Sequence, residues 1–421
     1  MKATVKNLGC KVNAYEAEFV RNLLIKNGYE IDEDNPDIYV VNTCTVTNTS
    51  DNKSRKLIRK IRRENKSAVL VVMGCALENA KEDLSKIDAD IIIGNKDKSK
   101  IIEYINEFLK ERKKIIKFYE NKEEFENMEI DKFETKTRAF VKIEDGCNNF
   151  CSYCIIPYVR GRVRSKSASS VIEEITSLVK NSHKEIVLTG IHTGQYNDNG
   201  ITLSDLIEKI LEINGLYRLR LSSIEITEID DKLLKLFKEN KIMANHFHIP
   251  LQSGSDKTLK DMNRKYSTNY FLEVVKKLRE INEFVSISTD LIVGFSTETE
   301  NDFINSYEFC KSINFSKIHV FPYSKRNGTK AASLKNIVDD KTKKMRTKKI
   351  LELSGLLEKQ YLEKNINRKE NIIIEEKKDN FYIGHTSNYI KVYIEEECIL
   401  NNVYEITLTS IYKDGMKGKI S

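Results

Sequence analysis

No stretch of this 421-residue chain approaches the roughly 18–20 consecutive apolar residues of a membrane span, and the opening MKATVKNLGCKVN contains no apolar core of the secretory kind. The pattern points away from the membrane and the secretory route, and toward the cytoplasm. A disulfide logic is missing too. Eight cysteines in a lysine-rich chain without a secretion signal argue for thiol or metal chemistry in a reducing compartment. Strong net charge is also lacking: at +7, with 40% hydrophobic and 32% charged residues, the composition is that of an ordinary globular protein long enough for two or three domains.

The charge is unevenly placed. In KSRKLIRKIRRENK, Lys53 to Lys66, eight Lys/Arg face one acid, Glu64. Leu57, Ile58 and Ile61 recur at helical spacing, so one face packs and the rest presents cations, either as a solvated helix surface or as a phosphate-contacting one.

Three segments succeed one another. In residues 1–130 short β-rich runs alternate with helical patterns: KATVKNLGC, DIYVVNTC, AVLVVMGC and DADIIIGN. Continuous Val/Ile runs between helices predict a small parallel sheet with covered faces. Cys10, Cys44 and Cys75 each fall where a strand gives way to a loop, the carboxyl edge at which open α/β sheets bind ligands. One shared metal site is favoured over three unrelated buried cysteines. In residues 131–360 six more candidate strands follow, RAFVKIED, KEIVLTG, YRLRLSSIE, HFHIPLQS, SISTDLIVGF and KIHVFPYS. Six β/α units predict a partial TIM-like barrel, or a closed one with two more units, and place the chemistry at the strands' carboxyl ends. A charged helical stretch, 339–366, leads out. In residues 361–421 apolar and polar residues alternate at period two, which predicts a small antiparallel β-barrel. Its eight Lys/Arg against nine acids from Arg368 onward give no reason from charge to assign nucleic acid. Phe381, Tyr382, Tyr389 and Tyr393 either stack on bases or form core. Cys310 and Cys398 lie alone in apolar patterns and read as core residues.

The stretch EDGCNNFCSYCIIPYVRG places Cys147, Cys151 and Cys154 within eight residues. Four thiolates close a zinc site, whereas a cubane offers four irons of which three cysteines hold only three. The open iron can chelate the amine and carboxylate of S-adenosylmethionine and position it for one-electron cleavage. CxxxCxxC is the radical S-adenosylmethionine signature, with Phe150 and Tyr153 before its last two cysteines; zinc with a distant fourth ligand is the alternative. Further residues fit the cofactor. Gly190 in LTGIHTG would let backbone approach its methionine end, and Ser222, Ser223 and Glu225 in LSSIE would take ribose hydroxyls. Gln252 and Arg264 would meet adenosine or carboxylate groups, and Gly294 in DLIVGF would suit passage of adenine.

Together the three segments resemble the methylthiotransferase family of radical S-adenosylmethionine enzymes over nearly the whole chain. The resemblance implies an amino-terminal domain in which Cys10, Cys44 and Cys75 hold an auxiliary 4Fe–4S cluster, a radical barrel in which Cys147, Cys151 and Cys154 hold the other, and a carboxy-terminal TRAM barrel around GHTSNYIKVYIE. NLGCKVNAYEAE and CNNFCSYCIIPYVRGRVRS look like the branch acting on threonylcarbamoyladenosine of tRNA; isopentenyladenosine-modifying relatives typically read CQMN at the first site and ribosomal-protein-modifying ones CPKN. Lys11, Val12 and Asn13 therefore carry much of the substrate assignment. The family usually has Pro-Gly after GF, where this chain has Ser296 and Thr297.

What the resemblance implies is methylthiolation at C2 of the adenosine 3′ of the anticodon, position 37. One S-adenosylmethionine supplies the methyl and a second the radical that an unactivated C–H bond requires. Implied partners are tRNA, through its splayed anticodon loop, an electron donor such as flavodoxin or ferredoxin, and a sulfur source. Arg160, Arg162, Arg164 and Lys166, with no intervening acid, are expected to meet loop phosphates or the threonyl carboxylate, a plain surface run being the alternative. Rival readings are methylthiolation of isopentenyladenosine or of a ribosomal protein, and a non-enzymatic iron–sulfur module that binds RNA or senses redox state. The sequence assigns no catalytic acid or base.

Overall fold

The computed structural model describes residues 1–44, 48–79, 87–118, 124–134, 137–335 and 337–421. The first Val/Ile runs pair as a six-stranded sheet, order β2-β1-β3-β4-β5-β6, from Lys2–Asn7 (β1), Glu30–Ile31 (β2), Ile38–Thr43 (β3), Val69–Gly74 (β4), Ile91–Ile93 (β5) and Ile115–Lys117 (β6). Every pairing is parallel. Helices Lys11–Lys26 (α1), Asn48–Glu64 (α2), Cys75–Asn79 (α3) and Ile101–Glu111 (α4) connect the strands. β3 and β4 are buried along their whole length, as a sheet covered on both faces demands. β2 and β6 are edge strands of two and three residues, too short to show a period. Helix α2 buries Ile58 and Ile61, ties Arg62 to Asp90 at 2.7 Å, and leaves Lys53, Lys56, Arg59, Lys60 and Arg63 exposed.

The six central strands are Ala139–Lys142 (β7), Glu185–Thr189 (β10), Arg218–Leu221 (β13), His246–His248 (β14), Ser286–Val293 (β15) and Lys317–Pro322 (β16). They pair in parallel as β13-β10-β7 and β14-β15-β16. The bridges Leu219–Met243 and Ser223–His248 join the two halves, and among the described residues β7 and β16 do not pair, so the sheet is an open partial barrel. Two small antiparallel pairs lie beside it: Glu144–Asp145 (β8) with Arg164–Ser165 (β9), and Asn197–Asp198 (β11) with Ile201–Thr202 (β12). Its helices are Ile156–Arg160 (α5), Ala168–Lys180 (α6), Leu203–Leu211 (α7), Asp231–Glu239 (α8), Asp256–Asp261 (α9), Thr268–Ile281 (α10) and Glu300–Ile313 (α11). The turn after GF forms without Pro-Gly: Glu298 N–H donates to Phe295 O at 2.9 Å, and the buried Glu298 carboxylate takes Arg346 at 2.6 Å.

Helix Asp340–Lys364 (α12) leads to a closed barrel, order β17-β18-β19-β21-β20, of Lys369–Lys378 (β17), Phe381–Thr386 (β18), Lys391–Ile394 (β19), Val403–Tyr412 (β20) and Gly415–Ile420 (β21). One apolar core runs through the first two regions and contains Cys310; the barrel has its own, which contains Cys398. The barrel is bolted to the partial barrel through arginines. Arg218 donates to the carbonyls of His385 and Asn371, both at 3.0 Å, and Arg220 to those of Ser387 at 3.1 Å and Thr386 at 3.3 Å.

Candidate active site

Cys10 and Cys44, in the segments after β1 and β3, and Cys75, the first residue of α3 directly after β4, lie at one edge of the first sheet. Cys10 precedes α1 and is exposed; Cys44 and Cys75 are buried. Gly9 closes the first loop over the second. Its φ of +138° suits glycine, and a Cβ there would meet Cys44 Cβ and Asn13 Nδ2 at 2.9 Å. Burial pushes the Cys75 thiol up to about 11, and Cys10 and Cys44 add to the rise as neighbouring charges. Such a thiol keeps its proton at neutral pH until a metal displaces it.

The second triplet occupies the loop after β8. Gly146 (φ +89°) starts it, and a Cβ there would lie 2.0 Å from Arg162 O on the returning strand. Cys154, pushed up to about 12 by burial, shares the loop with Cys147 and Cys151. His192 Nδ1 lies 3.5 Å from Cys147 Sγ, and Arg264 donates to Cys151 Sγ at 3.2 Å. Among the described residues no three His, Cys, Asp or Glu side chains converge as ligands of one ion.

One short helix connects the two triplets. Ile155, Ile156 and Val159 of α5 and the residue before it pack with Cys75 in an apolar cluster, against which Cys147, Cys154 and Ile191 rest. At the end of α5 Arg160 donates from Nε to Cys75 Sγ at 3.1 Å, from Nη1 to Glu16 and Asp145 at 3.0 Å, and from Nη2 to Asn13 Oδ1 at 3.1 Å. Lys142 reaches Glu16 at 2.9 Å and Asp145 at 2.8 Å, Lys98 reaches Glu16 at 3.6 Å, and Arg164 reaches Asp145 at 3.4 Å. Although burial opposes it, Lys142, Arg160 and Arg164 hold Asp145 well below the usual carboxylate range. Four buried cations thus surround two carboxylates beside the cysteines, a surplus that suits the negative charge of a thiolate-ligated cluster.

The expectation that this run meets loop phosphates or the threonyl carboxylate, and its surface-run alternative, do not fit three of its four members. Arg160, Arg164 and Lys166 are buried, and Lys166 is held by Glu174 at 2.8 Å; only Arg162 is exposed, with its guanidinium 4.4 Å from the Phe150 ring centre. The residues expected to hold S-adenosylmethionine also divide. Glu225 and Arg264 pair with each other at a cavity of about 180 Å³ that Glu228, Asn263 and Tyr266 also line. Ser223 instead faces a cavity of about 670 Å³. Ser222 is buried, and Gln252 adopts φ +64° where it bridges to Leu291. Tyr153 rests on a cluster of Met262, Phe295, Tyr323 and Ala331.

The two glycines serve neighbours rather than open space. A Cβ on Gly190 would meet the Glu144 carboxylate at 2.8 Å, and one on Gly294 (φ +71°) would meet Lys343 at 2.4 Å. Glu144, fully buried, is pushed by burial up to about 8 while accepting the His192 N–H at 2.6 Å.

The larger cavity lies where the three regions meet. Cys10 and Lys11 line it from the first, Ser223, His248 and Asp290 from the second, and Tyr389 from the third. The Tyr389 ring stacks between His246 and His385, at 4.8 and 4.9 Å. Sequence reasoning missed Glu16, Glu144, His192, Arg138 and Arg220. The RLRL of β13 held a readable signal: arginines alternating in a strand that must be buried need internal partners, and both share Glu185, at 3.0 and 2.7 Å.

A cysteine triplet in the loop at the head of an open six-unit β/α barrel defines a radical S-adenosylmethionine enzyme, and the radical SAM superfamily model matches residues 141–310. A second family model, the uncharacterized protein family UPF0004, matches residues 2–94. The chain is 40% identical to the threonylcarbamoyladenosine tRNA methylthiotransferase MtaB of Bacillus subtilis (strain 168), over 91% of this chain and 88% of that one. It is 38% identical to the protein so named in Aquifex aeolicus (strain VF5), over 93% and 96%. It is 35% identical to the tRNA-2-methylthio-N(6)-dimethylallyladenosine synthase of Clostridium tetani (strain Massachusetts / E88), over 83% and 80%. The fold is like that of the radical S-adenosylmethionine methyltransferase TsrM from Kitasatospora setae, with a TM-score of 0.57 and 13% identity over 79% of this chain and 77% of that one. The chain belongs to the radical S-adenosylmethionine tRNA methylthiotransferase family, alongside the threonylcarbamoyladenosine enzymes. It is a transferase whose cofactors are S-adenosylmethionine and 4Fe–4S clusters, and among the described residues no helix is long and apolar enough to cross a membrane.

Proposed function

We propose that this protein converts N6-threonylcarbamoyladenosine at position 37 of tRNA, beside the anticodon, into its 2-methylthio derivative. The observation that carries the reading is the placement of Cys10 on the wall of the 670 Å³ cavity, while α5 ties Cys75 to the second triplet. On this reading, sulfur chemistry at Cys10 and radical chemistry at the second triplet would work side by side. Cys147, Cys151 and Cys154 would hold the radical cluster and Cys10, Cys44 and Cys75 the auxiliary one. When bound, the first supplies the electron that cleaves S-adenosylmethionine to a carbon radical, and the second carries the sulfur that is methylated and transferred.

The chain's own residues do the rest. Arg264 presents a guanidinium beside Cys151 and is oriented by Glu225 and by Tyr266, whose hydroxyl accepts from its Nε at 3.1 Å. From the smaller cavity Glu225 offers an acceptor to ribose hydroxyls, and the stacked rings of His246, Tyr389 and His385 line the larger one. Arg162 and the exposed lysines and arginines of α2 offer contacts to tRNA phosphates in the cytoplasm. A flavodoxin or ferredoxin would supply electrons, and a separate sulfur source would rebuild the auxiliary site. Mass spectrometry of tRNA nucleosides from cells with and without the gene tests the reading. Loss of the 2-methylthio derivative with retention of threonylcarbamoyladenosine is expected; an undiminished methylthio complement overturns it. A dimethylallyl substrate, the activity named for the clostridial relatives, would appear in the same measurement as loss of the other nucleoside.

A further inference from the structure

The 670 Å³ cavity has one corner whose charges do not balance. Its other carboxylates are each met by a base: Asp290 by His248 at 3.3 Å, Glu358 by Lys317 at 2.8 Å, and Asp414 by Lys391 at 3.1 Å. The corner formed by Lys11, Arg138, Arg220 and Tyr389 differs. Arg220 and Arg138 lie 4.6 and 5.2 Å from the Tyr389 ring centre. Behind them Glu185 is shared between Arg218 and Arg220, and Glu375 lies 3.1 Å from Arg138 and 2.8 Å from His385. Four cations therefore face two carboxylates. Among the described residues the Lys11 ammonium has no hydrogen-bond or ion-pair partner, and the side chain lines the cavity. Tyr389 is held there at φ +67°, a left-handed backbone that a tyrosine adopts only when its surroundings impose it.

The field of the corner is felt by its neighbours. Burial together with Arg220, His248, Lys11 and Arg138 keeps His246 far below the usual imidazole range. Against the pull of burial, Arg138 and Arg220 lower the Tyr389 hydroxyl. The corner thus offers a tyrosine hydroxyl and an unpartnered ammonium, both backed by guanidinium charge, one residue from Cys10.

We propose that Lys11 and the Tyr389 hydroxyl, backed by the charge of Arg138 and Arg220, form the site that reads the free carboxylate of an amino-acid substituent on N6 of the target adenine. This rests on the reading that the substrate is threonylcarbamoyladenosine, and it names the part of that substrate the protein selects. The chemistry of adenine supports the placement: C2 and the carbon bearing N6 flank the same ring nitrogen, so a group that reads the N6 substituent must lie close to where sulfur is delivered to C2. Lys11, next in the chain to Cys10, is so placed. A carboxylate there gains charge-assisted hydrogen bonds, whereas an uncharged alkyl substituent would cover cations and give them nothing in return.

The test uses the full-length protein with both clusters reconstituted anaerobically, and anticodon stem-loops identical except at the modified base. One carries threonylcarbamoyladenosine, a second its neutral threoninamide analogue, and a third dimethylallyladenosine. For the wild type the acid should bind about tenfold or more tightly than the amide, since a charge-assisted hydrogen bond is worth roughly one such factor or two. Lys11→Gln should collapse the acid-to-amide ratio toward one, and Lys11→Arg should restore most of it. Should Lys11→Gln fail to take up iron, Arg138→Gln is measured in the same way. Equal binding of acid and amide by the wild type, or an unchanged ratio in both glutamine variants, overturns the proposal. If the wild type methylthiolates the threonylcarbamoyl stem-loop in that case, the substrate reading stands without this site. If it methylthiolates only the dimethylallyl stem-loop, both fail.

Discussion

Replacing Arg160 by methionine separates two roles that would otherwise be confused, because a contact with tRNA and a buried structural charge respond to different measurements. Its guanidinium touches Glu16, Asp145, Asn13 and Cys75 at 3.0–3.1 Å, and the residue is 2% exposed. Removing one partner of a buried ionic network costs about 3–5 kcal/mol, because the remaining charges stay desolvated. Lys142 still reaches both carboxylates, at 2.9 and 2.8 Å, so the loss should lie near the lower end, about 3 kcal/mol. Urea unfolding of the metal-free protein measures it, as a lower midpoint with the slope retained. The same variant should bind tRNA with an unaltered dependence on salt. Arg162→Met, which removes an exposed cation, should leave stability within about 0.5 kcal/mol and reduce the slope of log affinity against log salt by about one. A reduced salt slope for Arg160→Met at full stability would refute the buried assignment.

Further outcomes follow from other sites. Glu185 is held down to about 2, against the effect of burial, by Arg220 and Arg218. A depressed carboxyl contributes stability above its unfolded value and loses it as pH falls toward the folded one, so Glu185→Gln should remove roughly 3 kcal/mol of acid sensitivity between about pH 4.5 and 2, read by unfolding across pH. Gly146→Ala forces a Cβ to 2.0 Å from Arg162 O at φ +89°. It should cost the protein about half its iron, the share of one of two equal clusters, by iron analysis and visible absorbance. Cys310→Ala, in the core, should cost about 1–2 kcal/mol and leave iron content unchanged; lost iron would place that thiol in a metal site after all.

What the sequence revealed follows from where the signals are local. Each run with a cysteine at its end became a strand with that cysteine just past its carboxyl end, because burial on both faces writes itself into consecutive residues. The six central strands and the last barrel were legible for the same reason. The arginine run was misjudged because its partners are remote. Glu16 lies 144 residues from Arg160, and nothing near the run announces it. Asp145, inside the same quoted stretch, was visible but could not be paired without the turn at Gly146 that folds β9 back on β8. Gly190 and Gly294 were read toward a ligand; in the structure a Cβ on them would meet Glu144 and Lys343. A glycine announces close approach without saying of what.

The bolts between the partial barrel and the last five strands bear on how the protein can be cut or recombined. Arg218 and Arg220 are each 3% exposed and spend most of their donors on carbonyls of that final segment. A chain ending before Lys369 would not be a shorter enzyme with one appendage fewer. It would bare two buried guanidiniums and take away a tyrosine that lines the larger chamber. The carboxy-terminal barrel is a structural wall of this protein, and exchanging it between relatives would require carrying its arginine sockets along.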